Sequence, residues 1–350
     1  MTRWAIRTTE KYFNTHNKYI IDFYCPRILE NIIVNASLKK SYWEIYINDK
    51  YETDLIKRAL QIGVGFMVAN SRQRDWLLGL MTLDGLFVRR KHLRDAPSSF
   101  VAIVPMTFYM KQKPSYVDAR RYISQLINYD IERKFLLVWS GGWHEWMDIK
   151  TVVSAMKIIA EKNSDIILVM GAINNSKQKN TQSWKDGLEE LQKNKKIFVL
   201  ETWIPFGDHV NLVRAANISL VLAGHHIEDH ISYRTRAIES IENNVTVVIN
   251  KENPLLDESH DDVFGVTAGS PVEVASCILR LAEASDRSGP APRLPERTDP
   301  HMEGSAYLYN IIECVKTVTT INLSKRKIVK GLIIDFMRRL TRVYTLVMNA

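Results

Sequence analysis

An α/β fold with a parallel sheet follows from three features of this sequence. Apolar, β-rich runs begin near Phe135, Ile166, Ile197, Ile218 and Val245, with a weaker sixth near Phe264. Their starts lie roughly 20 to 30 residues apart with helix-length segments between, which is the spacing of βαβ units. The runs are continuous and do not alternate with polar residues, as expected for strands covered on both faces. Together they predict a Rossmann-like domain over residues 107–285.

The elements follow in order. Residues 1–18 read as an amphipathic or poorly ordered lead-in. Tyr19 to Tyr24 is strand-like and stops at Cys25-Pro26, because proline forces its predecessor out of the helical region. A helix is expected at 52–62 and a short strand at Gly65 to Ala69. Ser71 is a candidate cap for the helix that begins RQRDWLLGLM, since its hydroxyl can accept from an orphan backbone N–H. Val101 to Val104 is a further strand, closed by Pro105. Residues 1–106 therefore read as a partial N-terminal α/β domain. Asp148 is a good N-cap, and Ile149, Val152, Val153, Met156 and Ile159 share one helical face. Residues 271–284 give another helix, with Pro271 allowed in its first turn. Four prolines within 286–303 mark a linker. Residues 304–350 read as a basic amphipathic helical tail, with Ile328, Val329, Leu332, Ile333, Phe336 and Leu340 able to form one stripe.

Composition limits the function. The 350 residues, 46% apolar and 25% charged, suit a folded protein of two domains. The net charge of +8 is concentrated at one end. Residues 321–350 hold seven basic side chains against the single acid Asp335, a net +6. The remainder is nearly neutral, so the overall charge is no argument for a nucleic-acid partner. Cys25, Cys277 and Cys314 are few and far apart, which suits a reducing compartment and no disulfide framework. No stretch approaches the roughly 20 apolar residues of a membrane span, and the N-terminus lacks a secretory core. The expected location is the cytoplasm, with the tail either in contact with the inner face of the membrane or packed back across the two domains with a solvated basic face.

The chemistry-bearing residues lie at the ends of the predicted strands. Ser140-Gly141-Gly142-Trp143 follows the first strand and Gly171 the second. Neither is GxGxxG nor GxxxxGK[ST], so an NAD-dependent oxidoreductase or a P-loop enzyme lacks its fingerprint. These glycines serve either tight turns or the close approach of backbone N–H groups to a diphosphate. His225, His226, Glu228, Asp229 and His230 have metal-ligand chemistry, yet their spacing matches no familiar zinc motif. No metal is predicted, and contacts to a polar substrate or loop solvation account better for the cluster. Arg234 and Arg236 can offer forked donors to phosphate oxygens. Glu239, one turn into the next helix, can accept from two ribose hydroxyls. The plainer alternative is an Arg236–Glu239 pair at i,i+3.

In order and spacing these segments resemble glycosyltransferase family 4, the group 1 glycosyl transferases of GT-B fold. The matching stretches are LLVWSGG, IILVMGA, IFVLETWIPFGDHVNLVRAANISLVLA and IESIENNVTVVIN. In the smaller domain FMVANSRQRDWLLG and VAIVP are similar to the end of the family's N-terminal domain. The resemblance covers about two-thirds of the chain. It implies that Glu239 meets a ribose, on the second glutamate of the family's E-x7-E motif. It also implies that Ser232, Tyr233 and Arg234, on the G-F-G positions, lie at the donor phosphates or sugar. Gly141 falls on the glycine of the first loop. Gly171 and the turn from Trp203 to Pro205 fall where the base is held.

Three positions depart from the pattern. Ile231 stands at the first glutamate of E-x7-E, leaving Glu228 as the substitute. Gly142 and Met147 stand where the family neutralises the diphosphate with Arg and Lys, so Arg234 and Arg236 are the expected replacements. The front of the N-terminal domain looks shortened, with acceptor contacts reduced. The resemblance implies transfer of a sugar from a nucleoside-diphosphate donor, as co-substrate and without a cofactor, to a glycan or lipid-linked acceptor. Retention of configuration and independence from metal go with it. Glu228, Arg234, Arg236 and Glu239 are then the candidate catalytic set, with His226 near the sugar. The alternative is a non-catalytic relative that binds a nucleotide-sugar or a partner.

Overall fold

The structure, a computed structural model, describes residues 19–37, 40–89, 100–104, 113–144, 146–171, 182–200, 204–258 and 260–288. The expected lead-in, most of the linker, the basic tail and Trp203 lie outside the described residues. The chain divides into two compact units, one from its first part together with His230–Tyr233, the other from Thr107–Asp229 and the stretch that begins at Arg234.

In the first unit β1 (Tyr19–Asp22), β2 (Gly63–Val68) and β3 (Val101–Ile103) form a parallel sheet in that order. Helices α1 (Arg27–Ser37), α2 (Tyr42–Ile62), α3 (Ser71–Leu83) and α4 (Leu86–Arg89) connect them. Phe66, Leu77, Met81 and Phe100 pack in its core. The long helix starts ten residues before the expected 52. Ser41 Oγ accepts from the Glu44 N–H at 3.4 Å, and the Glu44 carboxylate accepts from the Ser41 N–H at 2.9 Å. That reciprocal capping box nucleates the helix within a polar, aromatic stretch. A second correction concerns α3. Its cap is Asn70, not Ser71, because Asn70 is the extended residue and its Oδ1 accepts from the Gln73 N–H at 2.8 Å. Segment 230–233 is held in this unit through its carbonyls. Arg72 Nη1 donates to His230 O at 3.2 Å, Asn70 Nδ2 to Ile231 O at 3.0 Å and Tyr24 OH to Tyr233 O at 3.0 Å.

The second unit contains a six-stranded, all-parallel sheet in the order β6-β5-β4-β7-β8-β9. Its strands are β4 (Phe135–Trp139), β5 (Ile166–Met170), β6 (Ile197–Val199), β7 (Ile218–Val221), β8 (Thr246–Asn250) and β9 (Val263–Val266). All six expected runs are strands. The helices are α5 (Tyr116–Leu126), α6 (Ile149–Lys162), α7 (Gln182–Lys193), α8 (Phe206–Ala215), α9 (Thr235–Glu242) and α10 (Pro271–Ser288).

The continuous apolar runs now have their physical reason. Successive side chains on a strand point to opposite faces. Leu137 and Trp139 join one buried cluster with residues of α6 and α10, while Leu136 and Val138 join another with residues of α5 and α8. A strand covered on both faces favours apolar side chains at nearly every position, with Ser219 in β7 and Asn250 in β8 as buried exceptions. Asp148 caps α6 as expected, its Oδ1 accepting from Thr151 N–H at 3.0 Å. Cys25 and Cys277 are free thiols. Among the described residues no helix is long and apolar enough to cross a membrane.

Candidate functional site

The strand order reverses between β4 and β7: the chain runs outward through β5 and β6, then returns to lie on the other side of β4. Loops leaving the carboxyl ends of two such strands diverge and leave a crevice, the usual ligand site of an open α/β sheet. Here those loops are 140–148 and 222–234. The first folds back along the end of β7. Asp148 N–H donates to Leu222 O at 3.1 Å, Gly224 N–H donates to Trp146 O at 2.9 Å, and Met147 bridges Ala223. Beyond β7 the Asn250 carboxamide grips Ala223, donating to its carbonyl at 2.7 Å and accepting from its N–H at 3.3 Å.

Gly141 and Gly171 meet at this edge. Gly171 N–H donates to Trp139 O at 2.7 Å, and a Cβ on Gly171 would lie 3.4 Å from the Gly141 nitrogen. The two turns lie close enough that a side chain at 171 would press on the Gly141 backbone. Arg236, from the first turn of α9, lies over Gly141, where a Cβ would come 1.6 Å from its Cζ. Its Nη2 donates to Gly142 O at 3.4 Å. Among the described residues it meets no carboxylate at ion-pair distance. Burial pushes its pKa down to about 10, and the neighbouring charge of Arg234 pushes the same way. A guanidinium remains charged at neutral pH even so. Glu239 acts on the pKa in the opposite sense without forming an ion pair. Among the described residues the turn thus presents a half-buried cation hydrogen-bonded to a carbonyl, next to glycine backbone. Such a cation gains from an anion.

Arg234 has a different environment. Its Nη1 and Nη2 grip Glu228 at 3.1 and 2.6 Å, while Nε and Nη2 hold Asp229 Oδ1 at 3.0 and 2.7 Å. Asn253 Nδ2 donates to the same Asp229 oxygen at 3.0 Å. All three charged residues are buried. Burial alone would lower the Arg234 pKa; Asp229 and Glu228 outweigh it and hold it above the usual guanidinium value. This knot ties the loop to the residue immediately before α9. Glu228 is thereby engaged with Arg234, and Ser232 and Tyr233 are buried in the segment that packs with the first unit.

Glu239 is also buried, and its Oε2 lies 3.0 Å from His209 Nε2 on α8. The simple Arg236–Glu239 pair is not formed: Arg236 turns to Gly142 and Glu239 to His209. Glu239 Oε1 has no hydrogen-bond partner among the described residues. Pro205 is the exposed residue before α8. His226 sits over Gly224, where a Cβ would meet its Nε2 at 2.5 Å. The sequence reading missed His209, Asn250 and Asn253. The turn signal Asn253-Pro254 was available for the last of these; His209 acts 30 residues from its partner and carries no local signature.

No family model matches this chain, and no curated protein matches it. Solved structures do. HepE of Anabaena, solved in complex with UDP and glucose, has a TM-score of 0.50 at 13% identity, covering 75% of this chain. The chain spans 64% of the length of that protein. Sucrose-phosphate synthase from Thermosynechococcus elongatus has a TM-score of 0.55 at 13% identity, over 98% of this chain and 71% of its own. The N-terminal domain of trehalose-6-phosphate phosphatase from Candida albicans scores 0.50 at 10% identity, over 90% and 71%. At these identities the likeness is one of fold, and it assigns the chain the α/β architecture of the GT-B class.

Proposed function

We propose that this protein is a glycosyltransferase that takes its sugar from a nucleoside-diphosphate donor held in the second unit. The observation that carries the reading is Arg236, a half-buried cation without a carboxylate at ion-pair distance among the described residues, lying on the glycine turn after β4 at the sheet's switch point. In this reading the diphosphate settles between Arg236, the backbone of Gly141 and Gly142, and the N-terminus of α9, whose orphan N–H groups favour an anion. The ribose is taken by Glu239. Charge developing on the leaving diphosphate is stabilised by Arg236, which stands in for the Arg and Lys absent at Gly142 and Met147. The knot of Arg234, Glu228 and Asp229 fixes the loop that aims Arg236. The UDP and glucose in the HepE complex make UDP the first nucleotide to test. Retention of configuration, independence from metal and a glycan or lipid-linked acceptor belong to the same reading, on the strength of the sequence resemblance.

Binding of UDP, GDP and dTDP by calorimetry is the test. A bound nucleotide whose affinity falls about tenfold or more in Arg236→Ala, the scale of one charged hydrogen bond, supports the reading. Failure of all three to bind overturns it. A second reading, donor binding without turnover, is favoured by the engagement of Glu228 and Arg234 with each other. Sugar transfer to any member of an acceptor panel ends that alternative.

The tail, residues 321–350, is proposed to lie on an anionic membrane surface. Its +6 charge beside an apolar stripe supports this, since each basic residue near such a surface contributes about 1 kcal/mol. Co-sedimentation with anionic liposomes that persists unchanged when 321–350 is deleted refutes it.

A further inference from the structure

His209 stands in the first turn of α8, its backbone N–H donating to Pro205 O at 2.9 Å. Its side chain crosses to α9 and meets Glu239 Oε2 at 3.0 Å, the two side chains being 22% and 7% exposed. The backbone carbonyl of Glu239 is occupied by Asn243, whose Nδ2 donates at 2.8 Å. What remains of Glu239 is one oxygen, Oε1, without a partner among the described residues.

We infer that His209 is a positioning residue for the donor. Its Nε2–H donates to Glu239 Oε2 and fixes the carboxylate in one rotamer, with Oε1 held ready to accept from a ribose hydroxyl. The inference rests on the nucleotide-binding reading of Glu239. The bond has a second effect. Glu239 and Arg236 lie three residues apart on one helix, where opposite charges attract across the surface. Held by His209, Glu239 is kept from swinging onto Arg236. Without that restraint the two close into an ion pair, which takes the acceptor from the ribose and the cation from the diphosphate together. One imidazole thus keeps two ligand-binding groups apart.

The test uses the full chain and calorimetry with two probe pairs, UDP with 2′-deoxy-UDP and GDP with 2′-deoxy-GDP. The wild type is expected to favour the ribonucleotide by about tenfold, the value of one hydrogen bond to a charged acceptor. In His209→Ala that preference is lost and ribonucleotide affinity falls about tenfold. His209→Gln, which keeps an N–H donor near the position of Nε2, restores both; His209→Asn, too short to reach, does not. Thermal melting alongside shows that the variants fold, and the Gln and Asn pair decides the matter if the alanine variant does not. Wild-type discrimination that is unchanged in His209→Ala and His209→Asn overturns the inference while leaving nucleotide binding in place. Absence of binding by the wild type, or ribonucleotide binding that Glu239→Ala leaves intact, removes the inference together with the role of Glu239.

Discussion

Arg236 and Gly141 occupy one another's space: the guanidinium lies where a side chain at 141 would begin, 1.6 Å from an ideal Cβ. The obstructing atoms are the end of a flexible side chain, not backbone. Gly141→Ala is therefore expected to fold with the β4 turn intact and to expel Arg236 from its seat. Nucleotide affinity should fall about tenfold or more, close to that of Arg236→Ala, since both lose the same charged contact. The double variant should bind no more weakly than either single one, which a calorimetric double-mutant cycle measures directly.

Arg234 should behave as a structural residue. Removing it leaves Glu228 and Asp229 buried without their cation, a situation that costs about 3–5 kcal/mol. Arg234→Ala is expected to show that loss in urea unfolding. The triple variant Arg234→Met, Glu228→Gln, Asp229→Asn removes the buried charges together and should recover most of it.

Asn70 serves two masters with one carboxamide. Its oxygen caps α3 and its nitrogen holds Ile231 O. Asn70→Ala should cost about 1–3 kcal/mol, combining a lost cap with an unsatisfied buried carbonyl. Asn70→Asp keeps the cap and sets an oxygen against that carbonyl, so its stability in denaturant titration should fall between the two.

Lys251 and Glu273 give a pH signature. Hydrogen bonds from Lys251 and then Thr267 hold the Glu273 carboxyl down at about 2, against an ordinary 4.5. A depressed carboxylate stabilises the fold above its unfolded value and loses that contribution as pH falls through its folded one. The melting-temperature gap between the wild type and Glu273→Gln should be present at pH 7 and shrink between pH 4.5 and 2. Both side chains are partly solvated, so added salt should narrow the gap as well.

The parallel sheet was legible because strands buried on both faces leave an unbroken apolar record; even the weak run at Phe264 proved to be β9. The start of α2 was readable in principle from Ser41 and Glu44, but the aromatic residues that follow obscured it. Site residues were read at their sequence positions with their contacts unknown. Arg234 and Arg236 look equivalent in SYRTR, yet two positions along the chain separate a cation clamped by two carboxylates from a cation over glycine. Which arginine finds which partner is decided by how loop 222–234 folds back, and no local pattern encodes that. His209 was invisible for the same reason.

The grip of Asn250 on Ala223 has a consequence for motion. A side-chain amide that imitates a peptide adds one further rung where the backbones of β7 and β8 have already parted. Fraying of the strand end must then break this rung as well, so the Ala223 amide should exchange with solvent at the slow rate of the sheet interior. Gly224 N–H is held in turn by Trp146 O, so exchange should quicken only in the residues beyond it. The boundary between the stiff and the pliant parts of the loop is set there by one carboxamide and one backbone bond. A ligand arriving at the rim would meet a surface already ordered, with the entropy of settling confined to the residues beyond.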